Sequence, residues 1–179
     1  RPIPHEGLAA HTLTALRACA LTHRATGLHI STPRWAATHM GAVHQEVFAS
    51  AGVDLHNVVI GHSGDSDDLE YLRGLMARGS FIGMDRFGLH QLLPTEKRVA
   101  TIAKLCAGGH AAKMVLSHDT MCYIDWYPEE MRAALPDYNY LHISDVAVPA
   151  LRAASVSEDD IRTMTIDNPR RIFEAQGAY

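Results

Sequence analysis

The stretch Val58-Val59-Ile60-Gly61-His62-Ser63-Gly64-Asp65-Ser66-Asp67-Asp68-Leu69 decides the fold. Its apolar, β-branched start predicts a short buried strand, and the polar residues after the strand predict a turn that caps a helix. One histidine, His62, lies at the carboxyl end of that strand. A (β/α) barrel presents its metal ligands and catalytic residues at this end of its strands. The stretch therefore predicts a barrel-type α/β fold with His62 as a candidate metal ligand.

Two further predicted strands end in the same way. Residues 81–84 are followed by Asp85 and Arg86, and residues 114–117 are followed by His118 and Asp119. Helical patterns alternate with the strands, which gives the order α-β-α-β-α-β-α-β-α. Buried apolar strands separated by helices indicate a parallel sheet. The predicted helices cover 8–24, 40–51, the segment after Asp65 or Ser66, the segment after Pro94, 145–154 and a segment capped by Ser157, with a last helical turn at Asn168; the predicted strands are 28–32, 57–61, 81–84 and 113–117, and 120–140 is a predicted aromatic loop.

Composition narrows the class of protein. The 179 residues are 47% hydrophobic and 20% charged with a net charge of −4, which is typical of a soluble globular protein without a nucleic-acid or anionic-membrane partner. No apolar run is long enough for a transmembrane helix, and no signal peptide is apparent. Three widely spaced cysteines fit a reducing cytoplasm. A whole barrel needs about 250 residues, so the chain is expected to be a single partial domain covering 1–179.

The strand ends bring together a candidate site. Neighbouring parallel strands should place His62, Asp85 and Asp119 on one concave rim. His62 and Asp119 could bind a divalent metal, and Asp119 could also take a proton during catalysis. Asp85 could orient a neighbouring histidine, and Arg86 could bind a carbonyl or phosphoryl oxygen. The structural alternatives are helix capping or a hydrogen bond within a turn for His62, capping of the following loop for Asp119, and a salt bridge between Asp85 and Arg86.

Other polar and aromatic residues have weaker assignments. Tyr123, Trp126 and Tyr127 could line an apolar substrate pocket or simply cover the rim of the sheet. The acidic cluster at 65–68 is interpreted as negative charge at a helix N-terminus. His118 precedes Asp119 by one residue and should point to the opposite side, so it is excluded from the site.

Four motifs together resemble the phosphotriesterase family of amidohydrolases. They are Val59-Ile60-Gly61-His62-Ser63, Ile82-Gly83-Met84-Asp85-Arg86-Phe87-Gly88, Leu116-Ser117-His118-Asp119 and Asp167-Asn168-Pro169-Arg170-Arg171-Ile172-Phe173, and they occur in the family's order. The resemblance implies the C-terminal half of a TIM (β/α)₈ barrel, strands five to eight. It also implies a hydrolase with two divalent ions, zinc being expected and manganese, cobalt or iron being alternatives.

The resemblance also assigns roles to residues. His62 would be the strand-six ligand of the more exposed metal, and Asp119 the strand-eight ligand of the buried metal and the proton acceptor. Arg86 after Asp85 is typical of the lactonase-like branch, and Trp126 resembles an aromatic residue that lines the lactone pocket. The implied reaction is attack by a metal-bound hydroxide on a small-molecule ester, lactone or phosphotriester. The resemblance leaves open whether the protein assembles as a homodimer.

The chain departs from the family pattern in its metal ligands. The family's His-x-His pair and carboxylated lysine belong to strands that would precede Arg1. The place of the strand-five histidine is taken by Pro33, which cannot bind a metal, and His29 and His39 do not have the expected position. Two ligands are too few for a tightly held catalytic metal.

Three functional hypotheses follow from these patterns. The chain is part of a metal-dependent hydrolase, active together with its missing half. Alternatively, it is a truncated or degenerate barrel fragment that acts as a binding or interaction module. An unrelated phosphate-binding βα domain, based on Gly108-Gly109, is disfavoured because these glycines precede a strand instead of opening a helix.

Overall fold

The architecture is an α/β sheet with helices between consecutive strands. The structure, a computed structural model, describes residues 9–32, 39–123, 125, 128–174 and 177–178 of the chain. In chain order the main elements are α1 (Ala10–Thr26), β1 (Ile30–Thr32), α2 (Met40–Ser50), β2 (Val58–Ile60), α3 (Leu69–Ala77), β3 (Phe81–Met84), α4 (Thr95–Ala107), β4 (Met114–Leu116), α5 (Glu129–Ala133), α6 (Val148–Ala153), α7 (Glu158–Arg162) and α8 (Asn168–Phe173).

The four strands form one parallel sheet in sequence order. Ile30 is opposite Val58, Val59 is opposite Phe81, and Ile82 is opposite Met114. All residues of β2 and β3 are buried, as the apolar run at 58–60 predicts. The parallel sheet is therefore confirmed. Strand β1 is shorter than predicted at its N-terminal end, and β2 and β4 are each one residue shorter at both ends.

The core lies between this sheet and the helices. Helices α2, α3 and α4 contribute Phe48, Leu72, Leu75, Ile102 and Leu105, all fully or almost fully buried. At about 25 cal/mol per Å² of buried apolar surface, such side chains supply most of the favourable free energy of folding. Packing against the helices therefore holds the sheet rigid, and the residues that follow the strand ends are held in defined positions.

The helix that follows His62 begins later than the sequence predicts. Asp68, and not Asp65 or Ser66, is the N-cap of α3, and its Oδ1 accepts hydrogen bonds from the backbone N–H groups of Glu70 and Tyr71. Residues 63–65 instead form a short 3₁₀ turn that starts directly after His62. The Asp65 carboxylate therefore does not cap the helix and can accept hydrogen bonds from other side chains.

The C-terminal third contains two features that the sequence does not predict. Helix α5 lies inside the predicted aromatic loop. Two π-helical stretches, Ile143–Ala147 and Thr163–Asp167, lead into α6 and α8, each of which has a proline at its second residue, Pro149 or Pro169. Because proline lacks an N–H donor, the normal helical hydrogen-bond ladder cannot run through these positions.

The predicted capping of α7 by Ser157 is confirmed, since its Oγ accepts a hydrogen bond from the Asp160 N–H.

Within the described part of the chain, every helix is too short or too polar to cross a lipid bilayer.

Candidate functional site

The candidate residues emerge directly from the carboxyl ends of three neighbouring strands. His62 follows β2, Asp85 and Arg86 follow β3, and Asp119 follows β4. His62, Arg86 and Asp119 have φ angles of 56°, 61° and 60°, in the left-handed region that non-glycine residues rarely adopt. Such strained residues persist only where surrounding contacts hold them, and they cluster at functional sites. These three residues therefore depend on contacts that hold them in this conformation.

His62 is held between two carboxylates. Its backbone N–H donates to Oδ2 of Asp85 at 2.8 Å, and its Nδ1 lies 3.2 Å from Oδ1 of the same residue. The same Nδ1 lies 3.9 Å from Oδ2 of Asp119. The His62 side chain is only 11% exposed, whereas that of Asp119 is 38% exposed. The expected convergence of His62, Asp85 and Asp119 is therefore present in the structure.

The contact with Asp85 also orients the His62 ring. When Asp85 is ionised it can only accept hydrogen bonds, so Nδ1 of His62 carries the proton and Nε2 keeps its lone pair. Burial raises the pKa of Asp85, the hydrogen bonds from His62 oppose that rise, and the nearby charge of Asp119 adds to it. An imidazole fixed in this way by a carboxylate is a common arrangement for metal-binding histidines.

Arg86 lies between Asp119, which it shares with His62, and a further carboxylate, that of Asp65. Its Nε donates to Oδ2 of Asp119 at 3.2 Å, and its Nη1 donates to Oδ2 of Asp65 at 3.1 Å. Burial alone would lower the pKa of Arg86, but the hydrogen bonds and charges of Asp65 and Asp119 outweigh burial and raise it. The alternative salt bridge between Arg86 and Asp85 is not formed: Arg86 pairs with Asp65 and Asp119 instead.

The long loop after β4 also reaches the site. The Tyr138 hydroxyl donates a hydrogen bond to the backbone carbonyl of Asp119. A cavity of about 480 Å³ lies beside this contact, and its described lining comprises Thr120, Met121, Cys122, Glu129, Ala133, Leu135, Pro136, Tyr138, Asn139 and Tyr140. Tyr123 follows Cys122 in sequence and is 75% exposed. Trp126 and Tyr127 lie outside the described residues, so their assignment to a substrate pocket stays a prediction.

The remaining histidines of interest lie elsewhere. Nδ1 of His118 accepts a hydrogen bond from the Thr120 N–H, and its ring packs against Tyr140. His29 precedes β1, at the opposite end of the strand from the candidate site, and packs edge-on against Phe173. His39 stacks on Tyr71 and lies 3.5 Å from Asp68. None of these contacts brings a second histidine to His62, and Pro33 lies outside the described residues.

The donor set fits one side of a divalent metal site. An imidazole nitrogen and a carboxylate are both ligands that zinc accepts, and the side chains of His62 and Asp119 lie at the same edge of the sheet. Among the residues that the structure describes, however, no group of three His, Cys, Asp or Glu side chains is placed to hold a metal ion. Further ligands would have to come from outside the described residues.

Sequence reasoning did not identify three residues that contact the candidate site. The sequence pattern assigns Asp65 to the cap and the negative charge of a helix N-terminus, and Tyr138 to a loop. Arg98 was overlooked, although it is a charged residue one helical turn before Ile102 and shares the apolar face of α4 with Ile102 and Leu105. A charged residue within an apolar stripe was the one available signal, because such residues are rarely buried unless they are paired.

Comparisons with known proteins give the family. The sequence profile of the Phosphotriesterase family matches residues 4–173. The aryldialkylphosphatase of Saccharolobus solfataricus is 34% identical over 170 residues, which cover 93% of this chain and 54% of that protein. The chain therefore belongs to the phosphotriesterase family.

Two solved structures extend the comparison to the fold. A phosphotriesterase from Mycobacterium tuberculosis is 49% identical with a TM-score of 0.94, over 98% of this chain and 54% of that one. A mutant of a phosphotriesterase-like lactonase from Deinococcus radiodurans is 31% identical with a TM-score of 0.82, over 94% of this chain and 54% of that one. The chain spans about half the length of these relatives, and the prediction of half a (β/α)₈ barrel is confirmed.

Proposed function

We propose that this chain forms the C-terminal half of the active site of a metal-dependent hydrolase that cleaves phosphotriesters or lactones. The observation that carries the proposal is the convergence of His62, Asp85 and Asp119 at the ends of three adjacent strands, with Nδ1 of His62 lying 3.2 Å from Asp85 and 3.9 Å from Asp119. Relatives named aryldialkylphosphatase, phosphotriesterase and phosphotriesterase-like lactonase support this substrate range.

His62 and Asp119 are the residues of this chain that would hold the metal, with zinc the expected ion. A bound divalent ion would supply Lewis acidity and activate water for attack on the ester. Because at least three protein ligands are usual for a catalytic zinc, the other ligands are assigned to the N-terminal half that the relatives possess. Metal binding is accordingly expected only when both halves are present.

The chain's own residues have separate tasks in this proposal. Asp85 keeps the proton on Nδ1 of His62, so Nε2 is the atom that can bind a metal. Asp119 is the carboxylate that takes a proton during catalysis. Arg86 uses Nε and Nη1 on Asp119 and Asp65, which leaves Nη2 to donate to a carbonyl or phosphoryl oxygen of the substrate. Trp126 and Tyr123 are assigned to the walls of the substrate pocket.

The test uses a chimera because metal ligands are needed from the other half. The N-terminal part of the M. tuberculosis phosphotriesterase is joined to this chain at the boundary of the structural match, and the protein is assayed with a lactone and a phosphotriester in zinc, manganese or cobalt. We expect hydrolysis by the chimera, near-zero rates for the chain alone, and loss of most activity in His62→Ala and Asp119→Asn. Full activity in both folded variants would refute the proposal.

The absence of a third described ligand favours a second candidate, a fragment that binds partners without catalysis. Metal analysis separates the two. The hydrolase requires near-stoichiometric metal in the folded chimera, and this metal should decrease in His62→Ala. A folded, metal-free chimera without hydrolysis would establish the non-catalytic alternative instead. Location in the cytoplasm, assembly as a homodimer and the limits of the single partial domain remain predictions.

A further inference from the structure

Arg98 is a completely buried arginine that contacts Asp65 and Asp85 from the interior of the protein. Its side chain is 0% exposed, and three of its nitrogens donate to three different acceptors. Nε donates to the Leu93 carbonyl at 2.9 Å, Nη1 to the Asp85 carbonyl at 2.8 Å, and Nη2 to Oδ1 of Asp65 at 2.6 Å. A guanidinium held on three sides in a packed interior cannot turn without breaking several bonds, so it forms a fixed support.

Two connections lead from Arg98 into the site. Through the Asp85 carbonyl it fixes the backbone of the residue whose carboxylate holds His62. Through Oδ1 of Asp65 it fixes a carboxylate whose other oxygen, Oδ2, accepts the hydrogen bond from Arg86. Asp65 is thus shared by two arginines, the completely buried Arg98 and Arg86, whose side chain is 22% exposed.

The direction of Arg86 depends on this sharing. Arg86 has a left-handed backbone, and two carboxylates on different strand ends determine where its guanidinium lies. Asp119 is the more exposed of the two, whereas the Asp65 side chain is 10% exposed and is anchored by Arg98. Asp65 is therefore the fixed contact, and Arg98 is what fixes it.

We propose that Arg98, acting through Asp65, is a positioning residue that directs Arg86 toward the substrate and thereby sets the preference between lactones and phosphotriesters. This inference rests on the proposed function for its substrates, but its structural part does not. A lysine could not replace Arg98, because a single ammonium group lacks the planar fork that reaches three acceptors in three directions.

Asp65→Asn is the most informative variant because it keeps the shape of the side chain. The amide oxygen can still accept from Arg98, but the amide nitrogen then faces Nη1 of Arg86, and two donors cannot bond to each other. In the chimera we expect the ratio of lactone to phosphotriester kcat/KM to change by about 10-fold, in the same direction as in Arg86→Ala. Arg98→Lys should change the ratio in the same direction.

A double-mutant cycle separates positioning from general damage. In an Arg86→Ala background, Asp65→Asn should leave the substrate ratio unchanged, because the residue that it directs is gone. The matched control is Asp67→Asn. Asp67 lies in the same segment and pairs with Lys97 of α4 at 3.7 Å, but both side chains are largely exposed. This control should leave the ratio unaltered. An equal effect of Asp65→Asn in both backgrounds would overturn the proposal.

A second measurement needs no activity. In ¹H–¹⁵N spectra of the arginine Nε and Nη groups in the purified chain, Asp65→Asn should broaden or shift the Arg86 Nη1 signal, because Nη1 donates to Asp65. The Nε signal of Arg98, which is bonded to Leu93, should stay unchanged. If the Arg86 signal stays unchanged, Arg98 does not position it. If the chimera is inactive but the Arg86 signal responds, the proposed function fails and the positioning role stands.

Discussion

Replacing Gly64 by alanine tests whether the turn after His62 must pack against the end of β3. A Cβ at residue 64 would lie 2.7 Å from the Asp85 carbonyl oxygen, 2.8 Å from the Asp85 nitrogen and 3.0 Å from the Met84 carbonyl carbon. All three are backbone atoms, so no side chain can rotate away. Ordinary contact begins near 3.4 Å, and the turn and the strand must therefore separate by roughly 0.7 Å.

The cost follows from that displacement. Overpacking of this kind costs about 1–3 kcal/mol. The same movement stretches the 2.8 Å hydrogen bond from the His62 N–H to Asp85, and bonds to charged groups are worth about 1.5–3 kcal/mol. We expect Gly64→Ala to lower the free energy of unfolding by about 3 kcal/mol and to reduce hydrolysis by the chimera, because His62 moves relative to Asp85.

Gly74→Ala is the matched control. Gly74 lies within α3, and an added Cβ meets nothing within 4 Å. Alanine is favoured over glycine in a helix by roughly 0.5–1 kcal/mol, so this variant should be slightly more stable than the parent. Urea unfolding followed by far-ultraviolet circular dichroism gives both values. If Gly64→Ala were within 0.5 kcal/mol of the parent, the close packing of the turn on β3 would be refuted.

Two further predictions concern groups outside the site. Burial lowers the pKa of His142, whose neighbours Asp137 and His90 act in opposite directions, so the unfolded state binds the proton first as the pH falls through about 6.5. The free energy of unfolding should decrease from pH 7 to pH 5, and less steeply in His142→Gln; an equal effect of the control His11→Gln, at an exposed position of α1, would contradict this. Burial, with a smaller contribution from Asp160, raises the pKa of Cys106 to about 12. At pH 8 a thiol reagent should label the exposed Cys19 and Cys122 quickly and Cys106 only after unfolding, and rapid labelling of all three would count against that burial.

The parts of this fold that can be predicted are those encoded by local patterns of apolar and polar residues. Residues 58–60 and 81–84 are apolar runs with a polar residue within two positions of their ends, His62 and Asp85. Such runs predict buried parallel strands whose ends carry the site. His62, Asp85 and Asp119 could be placed together for that reason. Parallel topology alone brings the ends of neighbouring strands to one edge, whatever the detailed packing.

The unpredicted part depends on contacts between residues far apart in sequence. Arg98 and Asp65 are 33 residues apart, and Tyr138 lies 19 residues after the Asp119 carbonyl that it contacts. No periodic pattern links such pairs. The capping error has a local cause, since Asp65, Ser66 and Asp68 are all good N-cap residues and only the 3₁₀ turn at 63–65 decides among them.

The same long-range contacts explain how this half can hold a strained site. Three non-glycine residues in the left-handed region cost roughly 1–3 kcal/mol each. Each is countered from within the described chain: Asp85 accepts from the His62 backbone, Asp65 and Asp119 hold the Arg86 guanidinium, and Tyr138 donates to the Asp119 carbonyl. Because the strain and its compensation lie in the same half, the geometry of His62, Arg86 and Asp119 does not require the other half. Under the proposed function, the N-terminal half that the relatives possess would add metal ligands to a rim that this chain already shapes.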